Sequence, residues 1–134
     1  YEVVERTVEA LSERGRAAKG ARILVLGVAY KKNVDDIRES PALKVIQLLT
    51  RRGAQISYYD SHVRLFRSER HGELPARSLK ALTPATLRSA DAVLILTDHD
   101  AVDYDAVVRH ARLIVDTRNA TRAVKVGRNK IVLA

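Results

Sequence analysis

Residues 22–29 read RILVLGVA, an unbroken apolar run rich in branched side chains. A strand with one wet face would alternate polar and apolar residues, so this run predicts a strand covered on both sides, as in the middle of a parallel sheet. The next segments fit that sheet. Beyond a polar stretch, Ser40 is a natural N-cap and Pro41 suits the first helical position. Leu43, Ile46 and Leu49 then line one face of a helix, Arg51 and Arg52 complement its C-terminal dipole, and Gly53 closes it. Gln55–Tyr59 reads as a second strand, which completes a strand–helix–strand unit with a right-handed crossover.

The remaining elements extend the same alternation. Val4, Val8 and Leu11 fall on one face of a first helix, predicted to end near Ala17–Gly20 and to leave an apolar stripe for self-association. Asp91–Thr97 and Arg112–Asp116 are apolar strands, Tyr104–His110 is a short helix between them, and Lys130–Leu133 adds one more strand. Ser61–Ala90 is broken by Gly72, Pro75 and Pro84, and is expected to hold a helix, an irregular loop and a weak edge strand. The fold class is therefore α/β, a three-layer Rossmann-like domain with an open parallel sheet flanked by helices.

Composition narrows the function classes. With 134 residues and 46% apolar content, one domain can bury a core without disulfides or a structural metal. The absence of cysteine excludes a thiolate zinc site, an iron–sulfur cluster and a cysteine nucleophile within these residues. No apolar run is long enough to span a membrane and the start has no signal-peptide layout, so a cytosolic protein is expected. Residue 1 is Tyr and Met is absent, which points to a piece of a longer chain. The formal charge is +8, yet 17 of the 24 cations are Arg scattered along the sequence, and only 4% of residues are aromatic. A nucleic-acid interface would combine clustered cations with stacking rings, so it is the weaker explanation, and an anionic small ligand fits as well.

In an open parallel sheet, ligands bind beyond the carboxyl ends of the strands. Four segments converge there: Tyr30–Arg38, Asp60–His62, Thr97–Asp100 and Asp116–Asn119. After Gly27 comes Val28-Ala29-Tyr30 with no G-x-G-x-x-G, so an ordinary dinucleotide turn is excluded and the loop offers Lys31, Lys32 and Arg38 as charged donors. Each candidate has a plainer alternative. Lys31 and Lys32 can be a solvated pair, and Arg38 can pair with Asp35, Asp36 or Glu39. Asp35 and Asp36 lie too far past the strand for a phosphoacceptor pocket. Asp60 is expected to cap a turn, and His99 to sit on the surface among acids rather than act as a ligand or base. Arg118 can be oriented by Asp116, either for a ligand or as a structural pair.

The stretches GVAYKKNVDDIRESPALKVIQLL, GAQISYYDSHV, ADAVLILTDHDAVDYDAV and LIVDTRN closely resemble the C-terminal domain of the UDP-glucose/GDP-mannose dehydrogenases. The likeness runs from Tyr1 to about Thr121, and G-x-A-Y-K with D-D-x-R-x-S-P is its most specific part. The resemblance implies an oxidoreductase that converts the C6 alcohol of a UDP-sugar to a carboxylate using NAD. It also implies that an N-terminal Rossmann domain, with the catalytic Cys and its Lys and Asn helpers, lies outside this chain, and that the complete enzyme is a homo-oligomer joined through a central helix. Residues 1–20 would be the end of that connecting helix and 21–134 the UDP-sugar-binding domain. Tyr30 and Lys31 would contact the substrate's nucleotide, Arg38 would reach NAD across the cleft, and Arg118 would bind substrate. Thr97-Asp98-His99 is similar to members acting on UDP-N-acetylhexosamines, whereas Ser61 departs from the family's usual Pro after the Asp. Alternatives from other classes are a basic nucleic-acid-binding module and a small-ligand sensor on the same fold.

Overall fold

The computed structural model describes residues 1–28, 41–61 and 78–134. In chain order these form α1 (Glu2–Glu13), β1 (Arg22–Leu26), α2 (Pro41–Arg51), β2 (Gln55–Tyr59), α3 (Pro84–Ser89), β3 (Ala92–Ile95), α4 (Tyr104–His110), β4 (Ile114–Asp116), a 3-10 turn at Arg128–Lys130 and β5 (Ile131–Leu133). The strands make one sheet in the order β2-β1-β3-β4-β5, every neighbouring pair parallel. The chain moves outward from β1 to one edge and then returns to build the other half from β3, so the topological switch point lies between β1 and β3.

Alternate residues of the central strands feed two cores. Ile23, Val25, Leu94 and Val115 pack with Val4 and Leu11 of α1 and Val45, Ile46 and Leu49 of α2. Leu24, Leu26, Val93, Ile95 and Ile114 face the other way, against Leu87 of α3 and Val107 and Val108 of α4. Helices thus cover both faces, which is why Ile23–Leu26 of β1 and all of β3 are apolar, with only Arg22 at the β1 start exposed. Burial of each such branched side chain contributes roughly 1.5–3 kcal/mol.

Two expectations for the first helix are corrected. The first helix stops at Glu13, because Gly15 takes the left-handed conformation and closes the turn with N–H bonds from Gly15 to the Ser12 carbonyl and from Arg16 to the Leu11 carbonyl. Its apolar stripe is covered by the sheet of the same chain: Val4 and Leu11 are buried, and the exposed large apolar residues among those described are Tyr1, Val126 and Leu133. The short helix expected within Ser61–Ala90 is α3: Pro84 is its first residue, and Thr83 caps it by accepting from the Thr86 N–H. Residues 78–90 hold no strand, and residues 62–77, the rest of the stretch expected to carry a weak edge strand, lie outside the described residues. Among the described residues, no helix is long and apolar enough to cross a membrane.

The switch point is held by a close backbone approach. Leu26 ends β1 with its carbonyl accepting from the Leu96 and Thr97 N–H groups, at 2.9 and 3.3 Å. Gly27 comes next with φ +83°, and a Cβ placed there would lie 2.5 Å from the Thr97 Cβ. Gly27→Ala combines left-handed strain with overpacking against backbone, so it should cost about 2–4 kcal/mol of stability. Urea unfolding measures this, with Gly15→Ala, where a Cβ meets nothing within 4 Å, as the strain-only comparison.

Candidate functional site

The carboxyl ends of β1, β2 and β3 are tied together by one buried carboxylate. Asp60, at the end of β2, accepts the Val28 N–H at 2.9 Å and lies 2.9 Å from His99 Nε2 through the same oxygen, Oδ2. Its own N–H donates to Ser78 Oγ at 2.9 Å. Asp60 and His99 are each 1% exposed. The turn role expected for Asp60 is therefore met by a link between β1 and β2. The surface role expected for His99 is overturned: its ring is buried against the Asp60 carboxyl, a contact that joins the segment after β3 to the end of β2. In T-D-H-D the flanking acids drew attention to the surface, while the partner lay 39 residues earlier.

Asp116, at the end of β4, organises the loop that carries Arg118. Its Oδ1 accepts the N–H groups of Arg118 and Ala120 at 3.0 and 3.1 Å, and its Oδ2 accepts the Thr121 N–H at 2.9 Å and the Thr121 hydroxyl at 2.7 Å. Burial raises the Asp116 pKa, but these donors outweigh it and hold the carboxyl below its ordinary value. The expected side-chain pair between Asp116 and Arg118 does not form. Asp116 holds the backbone of Arg118, and the guanidinium donates through Nε to the Leu96 carbonyl at 3.0 Å. Asn119 takes φ +55°, which lets the loop curl around the carboxylate. The spacing Asp116…Thr121 is the signal that sequence reasoning passed over.

Arg118 lines a cleft of about 230 Å³ together with Thr117, Leu96, the α2 start at Pro41–Ala42 and the α1 start at Tyr1 and Val3. One wall is thus apolar, one rim carries a guanidinium, and the positive end of the α2 dipole opens onto it. Acids nearby are already engaged. Asp98 pairs with Arg122 at 3.2 Å, and Asp116 has four donors. Burial and the Asp98, Asp116 and Asp100 carboxylates push the Tyr104 phenol well above its ordinary value, so that hydroxyl keeps its proton. No cluster of three or more metal-ligating side chains occurs among the described residues. Tyr30, Lys31 and Arg38 lie outside the described residues, as do Lys32, Asp35, Asp36, Ser40 and His62.

The sequence from residue 24 to 123 matches the profile of the UDP-glucose/GDP-mannose dehydrogenase family, UDP binding domain. The chain belongs to this family. The UDP-N-acetyl-D-mannosamine dehydrogenase of Pyrococcus horikoshii is 33% identical over 125 residues, covering 89% of this chain and 27% of that protein. The UDP-glucose 6-dehydrogenase of Rhizobium meliloti is 32% identical over 130 residues, covering 89% of this chain and 28% of that protein. The solved structure of the UDP-D-ManNAc dehydrogenase from Pyrococcus horikoshii superimposes with a TM-score of 0.73 at 28% identity, over 98% of this chain and 29% of that one. The chain thus spans little more than a quarter of the length of these family members.

The Asp116 carboxylate gives a pH-dependent prediction. Its folded-state pKa lies below the unfolded value of about 3.9, so its contribution is present above that value and is lost as pH falls through the folded pKa. Asp116→Asn turns one acceptor into a donor facing N–H groups and should cost about 2–4 kcal/mol at neutral pH. Chemical unfolding at pH 7 and pH 3 checks this, and the gap between wild type and variant should narrow at the lower pH.

Proposed function

We propose that this chain is the substrate-nucleotide domain of an NAD-dependent UDP-sugar 6-dehydrogenase, an oxidoreductase that converts the sugar C6 alcohol to a carboxylate. The observation that carries this reading is the cleft at the carboxyl edge with Arg118 on its rim, in a chain of this family. A UDP-sugar presents a diphosphate with two negative charges and a flat base. Arg118 is suited to the first, and the apolar wall from α1 and α2 to less polar parts of the ligand. Tyr30 and Lys31 are assigned to the nucleotide and Arg38 to a contact with NAD.

The first turn of this chain does not fit NAD. The Gly27 N–H is already donated to the Tyr59 carbonyl and the Val28 N–H to Asp60, so neither amide is left for a pyrophosphate. NAD, the hydride acceptor, is accordingly assigned in this reading to a Rossmann domain outside residues 21–134. Residues 1–20 are taken as the end of the helix connecting the two, and the complete enzyme as a homo-oligomer. What these residues do is bind the UDP portion, orient it through Arg118, and exclude water with the apolar wall.

The substrate is taken to be a UDP-N-acetylhexosamine. Support comes from Thr97-Asp98-His99 and from the relatives in Methanococcus maripaludis and Pyrococcus horikoshii, both UDP-N-acetyl-D-mannosamine dehydrogenases. The Rhizobium meliloti relative, a UDP-glucose enzyme, keeps the alternative sugar as an outcome of the test.

Two measurements test this reading. Purified chain mixed with NAD and any UDP-sugar should form no NADH, since it contains no cysteine nucleophile. It should nevertheless bind UDP weakly, and Arg118→Ala or Lys31→Ala should each weaken that binding about ten- to a hundredfold by calorimetry, while Lys80→Ala should not. Equal weakening by all three would mean diffuse attraction to a +8 surface and would favour the nucleic-acid reading.

A further inference from the structure

The amino edge of the sheet, where strands begin and helices end, carries a second cleft of about 340 Å³. Arg14, Arg16 and Arg112 form its rim, Asp91 stands among them, and the buried Leu11 and Leu113 make its floor. We propose that this cleft binds a small phosphate monoester, its dianionic phosphoryl group on the three guanidinium groups and its organic body on the leucines. This site lies on the opposite edge from the Arg118 cleft and does not depend on the function proposed there.

Charge and preorganisation carry the inference. Three cations against one carboxylate leave a local surplus of two positive charges, matching a phosphate dianion. Asp91 cannot cancel more, because its oxygens are already engaged by the Arg22 N–H at 2.8 Å, by Arg16 Nε at 3.2 Å and by Arg112 at 3.7 Å. Burial raises its pKa, yet the Arg22 N–H and Arg16 hold it below the ordinary carboxylate value, so it stays charged and keeps the arginines in place. Arg16 is pinned again by the Gly20 carbonyl at 2.7 Å, and Arg14 by the carbonyls of Arg112 and Asn129 at 3.3 Å each. Guanidinium groups fixed in this way give up less freedom on binding, and their remaining N–H groups can serve a ligand.

The surrounding field has the same sign. His110, also on the amino edge, is held below its ordinary pKa by desolvation and by the charges of Arg88, Arg109 and Lys130. Its Nδ1 lies 3.0 Å from Arg88 Nη2, an arrangement in which the neutral ring accepts from the guanidinium. An anion approaching this edge is attracted, while further protonation is resisted.

The test titrates the 134-residue chain with phenyl phosphate and, separately, with inorganic phosphate, tracked by amide NMR shifts. The expected result is saturable shifts centred on Gly15 and Leu113, with phenyl phosphate binding more tightly. Arg14→Gln and Arg112→Gln, both at exposed positions and checked for an unchanged melting temperature, should each weaken binding about tenfold, whereas Lys80→Gln, Lys125→Gln and Arg118→Ala should leave it unchanged. Equal weakening by all variants, equal affinity for both probes, or shifts confined to Thr117 and Arg118 would each overturn the proposal. Because UDP binding is read through Arg118 and this site through Arg14 and Arg112, failure of one leaves the other standing.

Discussion

A carboxylate with 1% exposure sits where three strands end, and the organisation of the carboxyl edge depends on its being satisfied. A buried polar group of this kind is costly unless it is hydrogen-bonded. Asp60 accepts the Val28 N–H of the turn after β1 and faces His99 from the segment after β3. The arrangement works only if Gly27 lets the β1 turn close against Thr97, so backbone shape and charge satisfaction require each other. The same turn uses the Gly27 and Val28 amides, which are donated to the Tyr59 carbonyl and to Asp60, in a sheet that keeps the doubly wound topology.

Much of the architecture was readable from local pattern. The short helix expected at Tyr104–His110 is α4, and the apolar runs place β1, β3 and β4 because a strand covered on both faces must be apolar along its buried length. Local signals misled where two of them competed. The first helix, expected to run to Ala17–Gly20, stops at Glu13 because Gly15 takes a positive φ; Pro84 both divides its segment and, with Thr83 before it, starts a helix. At the site, the residue types were legible and their partners were not. Arg118 stood out as a strand-end cation, yet nothing in T-R-N announces that its guanidinium meets the Leu96 carbonyl across the β3 end. His99 was misjudged for the same reason, since its partner is distant in sequence.

The excess of positive charge takes on a different meaning once the elements are placed. Parallel strands alternating with helices put every helix C-terminus on one edge, where cations complement the dipoles. Arg51, Arg88, Arg109 and His110 occupy last turns of α2, α3 and α4, and the arginines around Asp91 join them there. At the other edge the described acids Asp60, Asp98 and Asp116 are each held by specific donors. A net charge for the whole chain conceals this polarity: residues scattered in the sequence are gathered on the amino edge by the alternation of strands and helices.

The loop around Asp116 has a consequence for how such a domain can change over time. Its shape is fixed by main-chain N–H groups of residues 118, 120 and 121 and by one threonine hydroxyl, none of which involves the side chain at 118. That side chain is exposed and spends a single bond on the Leu96 carbonyl. Position 118 is accordingly an evolvable socket: its side chain can be exchanged while the surrounding scaffold is inherited intact.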